Sequence, residues 1–450
     1  MFGEASGRFM SEGRITRIAA RAMFPVTRLL PAFLLCLLGA CGQDADTVSS
    51  GPTPLGQTQI TALVWAPDWP DEMHRIANEF HRAHPNISVD VQFMIGNSVE
   101  ENLKPKIATR NLPDLVSVNP NAYSAELAEQ GILTDLGETA AWNNMLESLK
   151  PDWTSRHGKR FGISGGVAAT LIYYNKAMFR RAGIAAPPTS FEEFLAACAA
   201  LRKAGFTPMV WTGAFPNTLA NGPFSFGFAN GVAAHHPRDW KQRIADGSLD
   251  LANGDAVDIF ARIKLIADKG YLQRGFMNTS YDEGIRLFAD GKAAMAFQGT
   301  WSSGALMHGK DFDTGVFVPP WNARGKTVVP VVGSETGFAV CDTPRKKAAL
   351  QFLEFIYGKG FAIQQNKRQN IPPLKQVSGK VVSDPLIVDY VRQVTQAPLT
   401  APLYYSYLPT NTIELLHPLL QSVLFGKTSP RQAALTLDRS IRHEARTENK

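Results

Sequence analysis

Aromatic and hydrogen-bonding side chains recur where predicted strands end. Trp65, Asp68 and Trp69 follow the apolar stretch that closes the first predicted strand, and similar residues follow later strands. The candidate site residues are Trp65, Asp68, Trp69, Asn119, Asn121, Trp211, Asn217, Trp301, Glu335, Arg368 and Tyr404. Aromatic rings can stack on the apolar face of a pyranose, and carboxylates, amides and guanidinium groups can bind its rim of hydroxyls. These residue types would suit a carbohydrate site, and the alternative for any one of the aromatic rings is the hydrophobic core.

Trp301 has the most informative local context. The periodic run 281–288 predicts a helix that stops at Asp290-Gly291, and the apolar run 293–297 predicts a buried strand. This strand delivers Trp301 to the start of the next helix, where free backbone N–H groups and a loop side chain meet. A tryptophan in the hydrophobic core is the alternative at this position, since most tryptophans are largely buried.

The elements that must position these residues alternate between strands and helices. Predicted strands at 59–66, 87–94 and 115–118 are separated by helical patterns, which indicates an α/β fold with a mostly parallel sheet. Ligand-facing loops in such a sheet lie at the carboxyl ends of the strands. A long apolar strand at 167–174 predicts the first crossing into a second lobe, and 314–319 predicts the return.

Length and charge exclude several classes of protein. A chain of 450 residues exceeds the usual size of a single core, so two lobes are expected. Its 44% hydrophobic and 19% charged residues are typical of a globular protein. The formal charge of +6 falls to +3 without the first 40 residues, which hold five arginines and two acids. No basic patch for nucleic acid is expected.

The N-terminus predicts export. Arg28 precedes the apolar run 29–38, which is the length of a signal-peptide core and too short for a permanent span. The run ends in Leu38-Gly39-Ala40-Cys41, a pattern similar to a bacterial lipobox. We expect a lipoprotein signal peptide at 1–40, a lipidated Cys41, and a flexible tether at 41–56 that holds the folded body at the membrane. An ordinary secretory signal is the alternative, and either one predicts a periplasmic or cell-surface protein.

Cofactor and metal signals are weak. Only Cys198 and Cys341 remain after Cys41, neither belongs to a CxxC pair, and their pairing with each other stays open. Cys198 falls in a helical run, where a small buried hydrophobic side chain is expected. His74, His81 and His84 lie on one predicted helix without an HExxH pattern. We expect neither a metal nor a cofactor.

Five segments in order carry a family resemblance. They are Trp69-Pro70-Asp71 through Pro85, Leu112 to Val116, Leu171 to Lys176, Phe288 to Trp301, and Pro344 to Tyr357. Together they resemble the family 1 extracellular solute-binding proteins of ABC sugar importers, the group that includes maltose-binding protein. The resemblance implies a two-lobe periplasmic binding protein fold with three crossings and a hinge-closing cleft. It implies high-affinity capture of a sugar by a monomer that delivers it to permease subunits.

The resemblance also implies lobe ranges and ligand contacts. Lobe I would comprise 57–168 and 315–370, and lobe II 169–314 and 371–450. The family positions that match Trp211 and Trp301 line the cleft, so both are expected to stack on a sugar. Ala168 and Ala169 stand where relatives place a cleft glutamate, and we expect Glu335 to supply that acid. The same fold binding a glycerol phosphodiester or a polyamine is an alternative.

A hydrolase is the competing class. Gly162-Ile163-Ser164-Gly165-Gly166 matches the GxSxG elbow that carries a nucleophilic serine. That elbow requires a strand before the serine and a helix after it, whereas here a charged stretch precedes Ser164 and a strand follows. We expect the glycines to let the chain turn at a crossing, and no enzyme activity. A structural or adhesive lipoprotein would explain export but not the two-lobe pattern.

Overall fold

The computed structural model describes residues 57–448, apart from 96–97, 253, 308–310 and 379–382. The predicted signal peptide, Cys41 and the tether lie outside the described residues. The strands are β1 (Thr58–Val64), β2 (Ile87–Phe93), β3 (Leu115–Val118), β4 (Val167–Asn175), β5 (Met209–Val210), β6 (Met295–Gly299), β7 (Thr314–Phe317), β8 (Val332–Ser334) and β9 (Gly337–Val340).

Helices occupy most of the remaining chain. They are α1 (Pro70–Ala83), α2 (Val99–Ala108), α3 (Ala122–Glu129), α4 (Ala140–Asn144), α5 (Lys176–Arg181), α6 (Phe191–Lys203), α7 (Asn217–Leu219), α8 (Ser225–Phe228), α9 (Trp240–Ala245), α10 (Asp255–Asp268), α11 (Tyr281–Ala289), α12 (Ser303–Leu306), α13 (Lys346–Tyr357), α14 (Phe361–Arg368), α15 (Pro385–Thr395), α16 (Thr410–Leu424) and α17 (Pro430–Glu448). Two π-helical segments join α7 to α8 and extend α8, so residues 217–233 are continuously helical.

The first sheet has the strand order β2-β1-β3-β9. β1 runs parallel to β2 and β3, and β9 pairs antiparallel with β3, with Leu115 opposite Val340. Strand β3 is buried throughout and apolar except for Ser117, as expected for a strand covered on both faces. Because β1 and β3 are parallel neighbours, their carboxyl ends lie side by side. Residues 65–69 and 119–121 therefore emerge at the same edge of the sheet.

The second sheet is built around β4. It has the order β5-β6-β4-β7, and β8 pairs with the first residues of β4. β6 begins two residues later than the sequence predicts, because the residues before it complete the turn after α11, where Lys292 N–H donates to Leu287 O. Gly299 at its end lies opposite Thr170 of β4. A 3₁₀ turn, Thr300–Ser302, follows directly and carries Trp301.

Buried side chains form two hydrophobic cores: the first core combines the first sheet with one face of β4 and β6, and the second core packs on the opposite face of β4 and β6. β7 and β8, which the predicted ranges assign to lobe I, pair with β4 in the second sheet, so the chain re-enters the first sheet at β9. β4 accommodates them because it is nine residues long and pairs along different parts of its length. The limits of the lobes stay a prediction.

Both described cysteines are buried, free thiols. Cys198 belongs to the core of the second sheet and Cys341 to that of the first, so they do not form a disulfide with each other. Burial raises the pKa of Cys341 to about 12 and raises that of Cys198 as well. Both thiols are therefore inert packing residues. Within the described ranges, no helix is both long enough and apolar enough to cross a membrane.

Candidate functional site

A cleft with an empty volume of about 980 Å³ lies between the carboxyl ends of β1 and β3 and side chains from the second sheet and its helices. Nine residues predicted from the sequence line it: Trp65, Asp68, Trp69, Asn119, Asn217, Trp301, Glu335, Arg368 and Tyr404. Asn121 and Trp211 do not. The rule that loops at parallel strand ends meet accounts for Trp65, Asp68, Trp69 and Asn119, which follow β1 and β3.

Asp68 links the two sides of the cleft. It lies between the end of β1 and Pro70, the first residue of α1. Tyr281, which begins α11, donates its phenol hydrogen to Asp68 Oδ2 at 3.0 Å and hydrogen-bonds with Ser302 Oγ at 2.6 Å. Burial raises the pKa of Asp68 to about 7, against smaller lowering effects of the Tyr281 hydrogen bond and the Arg368 charge. At neutral pH this carboxyl group can therefore donate or accept a hydrogen bond.

Glu335 is the centre of a buried polar network. Its carboxylate forms a buried ion pair with Arg368, and Asn370 Nδ2 lies 3.0 Å and 2.9 Å from its two oxygens. Arg368 also donates to Gly165 O at 3.0 Å, and its guanidinium lies 5.4 Å from the centroid of the Trp69 ring. The charge of Glu335 is thus balanced within the protein. Glu335 lines the cleft, but its carboxylate already pairs with Arg368 and accepts hydrogen bonds from Asn370.

Gly166 makes this network possible. A Cβ atom at Gly166 would lie 2.5 Å from Asn370 Nδ2 and 2.8 Å from the Glu335 carboxylate. Its φ angle is not in the left-handed region, so glycine is needed there for close approach rather than for an unusual turn. The sequence predicts that these glycines let the chain turn. At Gly166 the reason for glycine is different, because a side chain would clash with Asn370 and Glu335.

Glu100 is a cleft residue that sequence reasoning missed. Ser98 caps α2 by accepting a hydrogen bond from Glu101 N–H, which places Glu100 in the first helical turn. Glu100 Oε1 accepts from Asn119 Nδ2 at 3.1 Å and from Asn121 Nδ2 at 2.7 Å. Asn121 therefore supports the cleft from behind. Its own Oδ1 caps α3, which turns the residue away from the lining.

The second side of the cleft carries an amide and phenol chain. Asn217 Nδ2 donates to the Tyr404 hydroxyl at 3.2 Å, and Asn221 Nδ2 donates to Asn217 Oδ1 at 2.6 Å. The Tyr404 hydroxyl also lies 2.9 Å from His417 Nε2. Burial lowers the pKa of His417 to about 4, so this imidazole is neutral at physiological pH. The chain holds Tyr404 and Asn217 in fixed orientations.

Aromatic rings from both sides converge on the cleft. Trp65 stacks on Phe215 with centroids 6.3 Å apart and planes inclined by 22°, and Phe215 meets Tyr281 edge-on at 5.3 Å. Trp301 is half-buried, and its ring packs over Gly299, where a Cβ atom would lie 2.2 Å from the ring. Glycine at 299 therefore lets the indole lie close against β6 while it contributes to the cleft wall.

Trp211 is placed differently from the prediction that it lines the cleft. Its backbone N–H and carbonyl are both held by Gln273, at 3.1 Å and 2.6 Å, and its side chain is 3% exposed. The indole borders a small internal space with Gln298 in the second core. The loop containing Gln273 fixes this orientation, and sequence position at a strand end does not reveal it.

Ser164 lacks the surroundings of a catalytic nucleophile. It is fully buried, and its Oγ donates to Gly166 O at 2.8 Å. β4 begins at Val167, so a strand follows the serine where the elbow would have a helix.

In the described ranges, no group of three or more His, Cys, Asp or Glu side chains could hold a metal ion.

Other missed lining residues include Phe215, Asn221 and Tyr281. Phe215 precedes α7 and Tyr281 begins α11, places that the sequence pattern can identify, whereas Asn221 lies within the helical run 217–233. The same pattern occurs at helix starts far from the cleft. Whether these residues line the cleft depends on how its two sides face each other, and the local sequence does not encode that tertiary relationship.

The chain matches known proteins in both sequence and structure. The sequence pattern of the family described as bacterial extracellular solute-binding protein matches residues 66–362. A multiple sugar-binding protein of Streptococcus mutans is 22% identical over 287 residues, which is 63% of this chain and 67% of that protein.

Solved structures show the same architecture. A chitin oligosaccharide binding protein superposes with a TM-score of 0.75 at 21% identity, covering 86% of this chain and 99% of that one. A sugar transporter protein from Bacillus licheniformis in complex with stachyose has a TM-score of 0.74 at 18% identity, covering 85% and 99%. These likenesses confirm the predicted two-lobe fold.

Proposed function

Because the chain belongs to the bacterial extracellular solute-binding protein family, we propose that it captures a carbohydrate in the cleft by hinge closure and delivers it to the permease of an ABC importer. The ligand is a mono- or oligosaccharide. The names of the sequence relative and of the solved structures, which refer to sugars, support this ligand class.

The observation that carries the proposal is the composition of the cleft. Its lining combines the aromatic rings of Trp65, Trp69 and Trp301 with amides, carboxylates and phenols from both sides. A sugar has two apolar ring faces and a hydroxyl rim that both donates and accepts, so it requires this combination. We expect Trp301 to stack on a sugar ring and Asp68 to bind a hydroxyl.

Hinge closure follows from the contacts across the cleft. Asp68 bonds to Tyr281, and Trp65 stacks on Phe215, so the described conformation joins the two sides. A ligand that contacts one side when the cleft is open and both sides when it is closed binds the closed form more tightly. Its differential affinity therefore shifts the population toward closure.

Export and anchoring complete the proposal. We infer that residues 1–40 are removed as a signal peptide and that Cys41 carries lipid, which holds a monomer at the outer face of a membrane. The tether 41–56 would let the body reach the permease. The protein acts by binding alone, without a cofactor or catalysis.

The alternatives have less support. A glycerol phosphodiester is not favoured, because the relatives are sugar-binding proteins and the one guanidinium in the lining, that of Arg368, is already paired with Glu335. A polyamine is not favoured by the same comparisons. A hydrolase centred on Ser164 would require an accessible hydroxyl, whereas this one is fully buried.

Calorimetry against a ligand panel tests the function. The panel comprises glucose, maltose, raffinose and diacetylchitobiose, with glycerophosphocholine and spermidine as representatives of the alternatives. We expect saturable binding of at least one sugar, with compaction in X-ray scattering and no turnover. Binding of spermidine or glycerophosphocholine with no response to any sugar would overturn the carbohydrate assignment and leave the fold unaffected.

A further inference from the structure

Glu100 is a buried carboxylate without a counter-charge in the described part of the chain. It is 2% exposed, lines the cleft, and accepts hydrogen bonds at Oε1 from the neutral amides of Asn119 and Asn121. Lys104, one turn later on α2, pairs instead with Glu414. Arg368, the only cationic side chain among the described residues of the cleft lining, pairs with Glu335.

This arrangement is costly for the ligand-free protein. Burying a carboxylate without a cation costs several kcal/mol, and hydrogen bonds from neutral amides recover only part of that cost. The position of Glu100 in the first turn of α2 helps, because the helix N-terminus carries partial positive charge. A ligand that donates hydrogen bonds to the Glu100 carboxylate would lower the free-energy cost that remains.

An unsatisfied acceptor lines the cleft on the other side. Asn221 is 7% exposed, and its Oδ1 has no hydrogen-bond partner among the described residues, while its amide nitrogen donates to Asn217. Asn217 in turn bonds to Tyr404. Burial, and then the negative charge of Glu100, hold the pKa of Tyr404 well above its usual value. The electrostatic field of Glu100 therefore reaches the chain that contains Asn221.

The other charged residues of the lining are already paired, so they provide no hydrogen-bond donor for Glu100 or Asn221. Asp68 has the phenol of Tyr281, and Glu335 has Arg368 and Asn370. The described lining thus holds the carboxylates of Glu100 and Glu335 and the partly protonated carboxyl group of Asp68 against one guanidinium, which is already paired. An anionic ligand would meet net negative potential and unpaired acceptors, whereas hydroxyl or ammonium groups would satisfy both.

We propose that Glu100 and Asn221 form an acceptor subsite that selects the charge of the ligand: the cleft takes neutral or amino sugars and rejects acidic sugars. The inference rests on the proposed function. It adds a physical basis for discrimination within carbohydrates, with Glu100 as the determining residue.

The test measures affinity by calorimetry for neutral, amino and acidic sugars. The neutral probes are maltose, raffinose and diacetylchitobiose, the amino probe is chitobiose, and the acidic probes are digalacturonate and maltose 1-phosphate. Wild type is compared with Glu100→Gln and with Glu101→Gln as the matched control. Glu101 is exposed on the same helical turn, so its variant makes the same charge change outside the cleft.

We expect wild type to bind a neutral or amino sugar and to bind no acidic one. Glu100→Gln should lose about 10-fold to 100-fold in affinity for that sugar, the usual effect of removing a charged hydrogen-bond acceptor. Glu101→Gln should change affinity much less than Glu100→Gln, because Glu101 is exposed and lies outside the cleft lining. Glu100→Gln should also melt at the same or a higher temperature than wild type without ligand, because it removes an uncompensated buried charge. A purely structural role for Glu100 predicts the opposite change in melting temperature.

The failures are distinguishable. If no sugar of any charge binds wild type, the proposed function and this inference both fall. If wild type binds acidic and neutral sugars equally, or if Glu100→Gln retains full affinity, only the subsite is wrong. Should Glu100→Gln fail to fold, the selectivity of wild type among the probes still decides the outcome.

Discussion

The phenol of Tyr281 donates a hydrogen bond to Asp68 Oδ2 over 3.0 Å, and this bond joins the end of β1 to the start of α11 across the cleft. Burial of the carboxyl group raises the pKa of Asp68 to about 7. The unfolded chain has an ordinary aspartate pKa near ~3.9. Between these two values the folded chain holds a proton that the unfolded chain has lost, so the stability contribution of Asp68 falls as pH rises.

The first prediction is that Asp68→Asn removes this pH dependence. Relative to wild type, the variant should gain up to about 3 kcal/mol of unfolding free energy between pH 5 and pH 8. Any pH-independent cost of the amide cancels in this difference. Urea denaturation at both pH values measures it. Parallel stability profiles for the two proteins would show that Asp68 titrates normally.

A second prediction concerns the ion pair between Lys104 of α2 and Glu414 of α16. Both side chains are about one-third exposed, at 37% and 34%, so the pair is screened by solvent. Because it links the two sides of the cleft, we expect Lys104→Gln to favour the open form and weaken ligand binding by up to about fivefold. The loss should disappear at about 0.5 M salt.

Scattering and calorimetry on Lys104→Gln, Glu414→Gln and the double variant measure this coupling. The Lys264–Asp268 pair lies within α10, so Lys264→Gln serves as the control with no effect on closure. An additive double variant would mean that Lys104 and Glu414 do not interact in solution.

A third prediction is that Ser164 has a structural role only. Ser164→Ala loses the hydrogen bond from Oγ to Gly166 O, which should lower the unfolding free energy by about 1 kcal/mol and leave ligand affinity unchanged. A serine-reactive phosphonate should not label the wild-type protein, with a known serine esterase treated in parallel as the positive control. Labelling at residue 164 would reopen the hydrolase interpretation.

The sequence was most informative where structure follows local rules. Alternation of strands and helices predicted a mostly parallel sheet, and the parallel pairing of β1 with β3 in the structure brings Trp65, Asp68 and Asn119 to one edge. Trp301 was located by the strand that precedes it. In each case the chain direction at a strand end determines where the next side chain lies.

Other parts of the site depend on relationships that no local pattern encodes. Glu100 resembles any acidic residue in a first helical turn, and only the approach of Asn119 and Asn121 makes it a cleft residue. Trp211 follows a strand as Trp301 does, yet Gln273 holds its backbone and its ring packs into the second core. The orientation of a side chain after a strand is set by the loop that covers it.

A fourth prediction is lipid modification at Cys41, which lies outside the described residues. The pattern Leu38-Gly39-Ala40-Cys41 after an apolar run predicts cleavage before Cys41 and acylation of its thiol. Intact-mass analysis of protein extracted from membranes should show a chain that begins at residue 41 with an added lipid mass. Cys41→Ser should appear in the soluble fraction without it. An unmodified wild-type chain that begins elsewhere would contradict the anchor.

The last prediction separates the two tryptophans. Trp301 is half-buried in the cleft wall, so Trp301→Ala removes a stacking surface that a bound sugar would cover and should cost about 1 to 3 kcal/mol of binding free energy. That cost corresponds to a roughly 5-fold to 150-fold loss of affinity. Trp211→Phe is the matched control, because Trp211 does not line the cleft and phenylalanine preserves most of its packing. It should bind ligand as wild type does. Calorimetry with the best sugar of the panel measures both variants, and unchanged affinity in Trp301→Ala would assign that indole to the core alone.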